Sequence, residues 1–139
     1  MITEPRFLTL AEILLIHADQ IRNYGGKYGL LDIRLLSSAL AQPEASYAGD
    51  YLHNGLFAMA GAYAYHLCQN HPFLDGNKRT ALAAALVFLD INGVVIEERE
   101  DQLFDMMMAI ATGKAAKLDA ARVFRELAFE ATEMLNSGR

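Results

Sequence analysis

Nine consecutive apolar residues, Ala81 to Leu89, constrain this chain more than any other stretch. Read as a helix, the run has almost no polar face. A helix apolar all round must be enclosed by neighbours, so the remaining residues have to build a bundle around it. Thr80 and Asp90 bound the run. It falls far short of the roughly 20 residues that cross a bilayer, so no membrane partner is expected.

The entrance to this helix has the opposite character. His71 to Thr80 reads HPFLDGNKRT, a polar and turn-prone loop. Gly76 permits a turn with positive φ and close backbone approach. The first N–H groups of the helix point outward with partial positive charge. Asn77 can hold the loop or donate its amide to an oxygen, and Lys78 and Arg79 add full charges. Gly76, Asn77, Lys78 and Arg79 together form an anion hole suited to phosphate. For GNKR alone, an ordinary capped helix with solvated basic residues is the better reading.

The residues just before it change the balance. Asp75 adjoins the anion hole, where phosphate would repel a lone carboxylate. Mg²⁺ resolves the conflict, since it is commonly held by one or two carboxylates together with phosphate oxygens. The alternative role for Asp75 is a helix cap, and the two are compatible. His71 lies five residues before Gly76. Its imidazole can accept a proton at neutral pH, as a hydroxyl attacking phosphorus requires. Pro72 stiffens the loop and Phe73 is expected to bury as its anchor. His71 and Asp75 are four apart, but Pro72 argues against one helix carrying both, and no third ligand is near. A zinc site is not expected.

The flanking elements follow from periodicity and caps. Thr9 to Tyr24 is a helix opened by a Thr9–Glu12 capping box, with Leu10, Ile13, Leu14, Ile16 and Ile21 at helical spacing. Gly25, Gly26 and Gly29 read as its stop and turn rather than as a phosphate cradle. Asp32 caps a helix through Ala41 whose apolar face is Ile33, Leu36, Ala39 and Leu40, and Pro43 ends it. Pro43 to Asn54 lacks clean periodicity and is a loop or short hairpin. It serves either as a connector or as a flap beside the site, with Ser46, Tyr47, Tyr51 and His53 as candidate docking residues for an extended peptide. Leu56 to Gln69 is a third helix, ended by Asn70. The central helix stops at Asn92-Gly93, and Val94 to Ile96 is a short extended piece. Glu100 to Ala111 is another helix ended by Gly113, and Asp119 caps a last one through Leu135. His17 and His66 fall inside helices and read as structural. About six helices with little sheet make an all-α bundle the expected class.

Composition sets outer limits. The 139 residues, 53% of them hydrophobic, suit one domain spanning 1–139. A net charge of −5 argues against nucleic acid as the main partner. Cys68 is the single cysteine and has no internal disulfide partner, which fits a reducing cytoplasm. Met1 to Arg6 carries no basic run before an apolar core, so no signal peptide is apparent.

The loop resembles that of the Fic/Doc family, and in particular its Doc (death-on-curing) branch. The family pattern is H-P-F-x-[D/E]-G-N-G-R-x-x-R, and His71, Pro72, Phe73, Asp75, Gly76, Asn77 and Arg79 match it. LLSSALAQP before the loop and TALAAALVFLDING after it extend the resemblance over about Gly29 to Gly93. Two positions depart from the pattern: Lys78 replaces the second glycine and Leu82 the final arginine. Fic enzymes that transfer AMP need that glycine's space and that arginine for the phosphate chain. Doc toxins carry the same lysine. For them the resemblance implies reversed ATP binding and transfer of the γ-phosphate to a protein, the family's target being a threonine of elongation factor Tu. It also implies His71 as base, Asp75 as Mg²⁺ ligand, Gly76 to Arg79 as phosphate holder, Pro43 to Asn54 as docking flap, and a Fic-like helical fold. An internal inhibitory motif, [S/T]-x-x-x-E-[G/N], is missing from the chain, so the expected control is a separate small antitoxin bound as a helix in a groove. The leading expectation is therefore a toxin with protein kinase activity that uses ATP and Mg²⁺ and blocks translation. AMP transfer is the runner-up, and a catalytically silent binding module stands third.

Overall fold

The computed structural model describes residues 4–137, with side chains described as far as Ala128. Met1 to Thr3, which enter the reading of the N-terminus, lie outside the described residues. Six helices run in order: α1 (Leu10–Tyr24), α2 (Ile33–Ala41), α3 (Leu56–Asn70), α4 (Asn77–Ile91), α5 (Glu100–Ala111) and α6 (Lys117–Ser137). Between α2 and α3 lies a two-stranded hairpin, β1 (Ser46–Tyr47) and β2 (Asp50–Tyr51). The class is all-α, as expected. No helix among the described residues is long and apolar enough to cross a membrane.

Local chemistry sets the boundaries. Thr9 Oγ1 accepts from Glu12 N at 3.1 Å and Glu12 Oε1 accepts from Thr9 N at 2.9 Å, which completes the capping box on α1. Asp32 caps α2 through a 2.8 Å bond from Arg34 N. The hairpin pairs Ser46 with Tyr51 and Tyr47 with Asp50. Its turn residues, Ala48 (φ 54°) and Gly49 (φ 88°), are both left-handed, the geometry that matches strand twist in a two-residue turn. At α6 the expectation shifts by one turn. The helix begins at Lys117, and Asp119 lies inside its first turn with Oδ2 accepting from Ala116 N at 2.7 Å. The carboxylate thus satisfies the open N-terminus from within the helix.

The core gathers around α3 and α4. Small residues at Ala60, Gly61, Ala62 and Ala64 let α3 pack closely against α4 on one side and α6 on the other. A Cβ on Gly61 would collide with the Lys117 carbonyl, so α6 crosses in backbone contact. Tyr63 is fully buried and its hydroxyl accepts from Leu8 N at 2.9 Å, which draws the N-terminal segment over the core. Asn92 holds the same segment, accepting from Arg6 N at 2.8 Å and donating to Arg6 O at 3.0 Å. Two expectations change in detail. Ile33 is exposed, and α2 buries Leu36 and Ala39. Helix α4 is enclosed over Ala81, Ala84, Ala85, Phe88 and Leu89, yet Leu82, Ala83, Leu86 and Val87 stay open along one side. Among the described residues, α1 and α5 flank that second apolar stripe without closing over it, and Leu82 and Leu86 are half-buried.

Candidate active site

Helix α3 ends where His71 takes a left-handed conformation, φ 51° and ψ 54°. A non-glycine residue there is under strain of about 1 kcal/mol or more, and such strain gathers at functional sites. Pro72 forbids continuation of the helix. The loop then runs alongside the glycine segment that follows α1. Leu31 N donates to Pro72 O at 2.8 Å and Leu74 N donates to Gly29 O at 2.9 Å. Phe73 enters the core at 1% exposure, the anchor that the sequence implied. Asn77 closes the loop on itself, with Oδ1 accepting from Phe73 N at 3.0 Å and Nδ2 donating to Phe73 O at 2.9 Å. The first of the two roles open to Asn77, holding the loop, is thus in place, and one of the two N–H donors on Nδ2 is used in it.

Gly76 is left-handed (φ 75°, ψ 21°) and no side chain caps α4. The first N–H groups of α4 thus lie open at the mouth of the cleft. Lys78 is exposed and makes no hydrogen bond or ion pair among the described residues, and the same holds for the His71 side chain. Arg79 is braced instead. Its Nη2 donates to Gly25 O at 3.1 Å, and its guanidinium carbon lies 5.7 Å from the centre of the Tyr24 ring. Asp75 is not the helix cap. Its Oδ1 accepts from Gly76 N at 2.8 Å and its Oδ2 from Lys27 N at 3.2 Å. These two N–H bonds, from Lys27 and then Gly76, hold its pKa below the usual carboxylate range, and the Arg79 charge adds to them. It is therefore a charged, exposed oxygen donor at neutral pH. Among the described residues no three His, Cys, Asp or Glu converge. A hard cation shared between this one carboxylate and the oxygens of a phosphate fits such a donor set.

The loop opens on a cleft of about 1090 Å³, just above the range of roughly 300–1,000 Å³ usual for small-molecule sites. His71, Asp75, Gly76, Asn77, Lys78 and Arg79 all line it, so every core residue of the sequence-derived site comes together. Leu82, Leu86, Val87, Phe104, Met107 and Met108 form its apolar wall. Cys68 also lines it, but burial pushes its thiol pKa up, against the opposing charge of Lys78.

The four hairpin residues stand apart from this cleft, and none of them lines it. Ser46 is exposed and Tyr47 is 78% exposed. Tyr51 is turned back, its hydroxyl 2.6 Å from Glu4 Oε2 and its ring edge-on to Phe7. His53 is only 8% exposed, so it offers no surface for docking.

Sequence reading passed over the residues that support the loop from α1. His17, 5% exposed, stacks on Phe73 with ring centres 3.8 Å apart and planes 6° from parallel. Its Nε2 lies 2.9 Å from the Asp75 carbonyl oxygen, and because that partner is a carbonyl the nitrogen donates. Gly26 is left-handed (φ 114°), and a Cβ there would stand 2.6 Å from Asp75 Oδ2. The available signal was the spacing Ile13, His17, Ile21: a polar ring in the buried stripe of a helix has to find a polar partner.

The model of the Fic/DOC family matches residues 7–89. The chain is 41% identical over 91 residues to the protein named Toxin Doc of Mycolicibacterium smegmatis (strain ATCC 700084 / mc(2)155), covering 64% of this chain and 70% of that protein. It is 31% identical over 122 residues to Protein kinase doc of Escherichia phage P1, covering 88% of this chain and 95% of that protein.

Proposed function

Because the chain belongs to the Fic/DOC family, we propose that it is a Doc-type toxin that transfers the γ-phosphate of ATP to a hydroxyl of a target protein. The observation that carries this reading is the uncapped N-terminus of α4, with His71 and Lys78 unpartnered beside it at the mouth of the cleft. Phosphoryl transfer is mainly a matter of positioning and of stabilising charge on the equatorial oxygens. The open N–H groups of α4, with Lys78 and Arg79, are placed to hold those oxygens. His71 takes the proton of the attacking hydroxyl, the hydroxyl oxygen bonds to phosphorus, and the bond from phosphorus to ADP breaks. Asp75 is the residue that would hold Mg²⁺, which when bound neutralises charge on the phosphates.

Lys78 and Leu82 support phosphate over AMP transfer. The lysine occupies the space that a second glycine would leave for a phosphate chain. Leu82, one turn further along α4, presents an apolar wall where the family pattern has an arginine. The name Protein kinase doc borne by one relative points the same way. By resemblance the target is a threonine of elongation factor Tu, with arrest of translation as the outcome, and a small antitoxin silences the protein by laying a helix in a groove. Exposed Tyr47 at the hairpin tip is a candidate contact for the target.

The test is a transfer assay in cell extract with Mg²⁺, run with γ-labelled and with α-labelled ATP and with His71→Ala as control. Label on a protein from the γ position, lost in His71→Ala by about 10²–10⁴-fold in rate, is the expected outcome. Label from the α position would establish AMP transfer in its place. No label from either would favour a binding module. Harmless expression of the chain alone would count against the antitoxin.

A further inference from the structure

We infer that His17 is a positioning residue for the site: by holding the Asp75–Gly76 peptide in one orientation, it aims the Asp75 carboxylate into the cleft. The inference rests on the reading of Asp75 as the cation-holding residue. The Asp75–Gly76 peptide is gripped on both sides. Its carbonyl accepts from His17 Nε2 at 2.9 Å, and its N–H donates to Asp75 Oδ1 at 2.8 Å. A peptide preceding glycine flips at low cost, since Gly76 accepts either sign of φ. Without the His17 bond the carbonyl could rotate away, Gly76 would leave φ 75°, and the N–H that fixes Oδ1 would turn with it. Of the carboxylate's two anchors, only the 3.2 Å bond from Lys27 N would remain.

His17 can perform this role because it is itself fixed. Its ring stacks on Phe73 in the core, and Ile13 and Ile21 bury one helical turn to either side. A Cβ on Gly76 would lie 3.0 Å from Ile21 Cδ1, so the loop rests directly on the face of α1 that carries His17. The ring thus offers two separable services, packing against Phe73 and donation to the Asp75 carbonyl. Second-sphere partners of this kind commonly change metal affinity by about 10–100-fold when removed.

The two services separate in two variants of the full chain. His17→Phe keeps a stacking ring and loses the donor. His17→Gln keeps a donor close to the place of Nε2 and loses the ring. Each is compared with the unaltered chain in thermal unfolding, in the ¹⁵N–¹H shift of the Gly76 amide, and in Mg²⁺ affinity at saturating ADP read from amide shifts. Expected is a moved Gly76 amide and about tenfold weaker Mg²⁺ binding in His17→Phe with a melting temperature near the original. His17→Gln should show the reverse: lower stability with the Gly76 shift and Mg²⁺ affinity largely restored. Unchanged Gly76 shift and affinity in His17→Phe would overturn the inference, as would losses in both variants that merely follow stability. Failure of the unaltered chain to bind Mg²⁺ with ADP would overturn the reading of Asp75 instead, while the Gly76 shift would still decide whether His17 orients the peptide.

Discussion

At the scale of single residues, the site divides into groups held by the fold and groups left free for a ligand. Arg79, Asp75 and Asn77 already have partners, while Lys78 and the His71 side chain have none among the described residues. Lys78→Ala should therefore leave the melting temperature almost unchanged and lower the proposed γ-phosphate transfer by about 10²-fold, the usual loss when one donor to a transition-state anion is removed. Initial rates beside a thermal melt check both halves. Gly26→Ala should impair both stability and the proposed Mg²⁺ site. A Cβ at φ 114° and 2.6 Å from Asp75 Oδ2 strains the backbone and displaces the carboxylate, so about 1–3 kcal/mol of stability should be lost, measured by urea unfolding, together with Mg²⁺ dependence. His71, Phe73, Asp75 and Asn77 were legible in the sequence because their chemistry sits within one short loop. His17 and Lys27 were not, because they reach Asp75 across 58 and 48 residues. The spacing around His17 shows that its ring needs a polar partner, but no local pattern identifies one at that distance.

At the scale of elements, α1 and the glycine segment after it form the bed of the loop from His71 to Arg79. His17, Ile21, Tyr24, Gly25, Lys27, Gly29 and Leu31 each touch some part of Pro72 to Arg79, running out to Arg79 and back to Pro72. The segment that reads as a plain helix stop is thus also a surface fitted to the loop. Helix boundaries were legible wherever a cap fixed them, as at Thr9 and Asp32. Asp119 misled by one turn because a carboxylate at the third helical position also marks a helix start, reaching back to the Ala116 N–H instead of accepting from the N–H groups that follow it. The open stripe on α4 was not legible, since apolar residues lining a cleft and apolar residues in a core have the same composition. The α3–α6 crossing depends on one missing methyl. Gly61→Ala would press against the Lys117 carbonyl, and overpacking of this kind should cost about 1–3 kcal/mol in denaturant unfolding, with transfer activity per folded molecule retained.

At the scale of the whole molecule, acid stability and the proposed activity draw on successive turns at one end of α3. Its C-terminus delivers His71 to the cleft. About one turn earlier, His66 faces the start of α6, where Lys117 Nζ lies 3.3 Å from His66 Nε2. His53, buried behind the hairpin with Nδ1 unpartnered, faces the same lysine charge. Burial, then Lys117, then His53 lower the His66 pKa to about 4, and burial followed by Lys117 lowers that of His53. Both imidazoles are thus kept neutral by the fold, whereas in the unfolded chain they titrate near their ordinary value of about 6.5. The unfolded state binds more protons between these two values, so stability is complete above about pH 6.5 and declines as pH falls toward about 4. Each tenfold loss of proton affinity on folding corresponds to about 1.4 kcal/mol, and solvent screening at the partly exposed His66 reduces its contribution to about 1–2 kcal/mol. For a chain of this size that is a fall of about 3–8 °C in melting temperature between pH 7 and pH 4. Asp75, Glu12 and Asp32, all held below the usual carboxylate range, add their losses only at the acid end of this window and below it. His66→Gln should remove most of the decline between about pH 6.5 and pH 5, where the carboxylates contribute least. Melting curves of the two proteins across that interval check it, and parallel slopes would assign the acid sensitivity to His53 or to groups outside this contact.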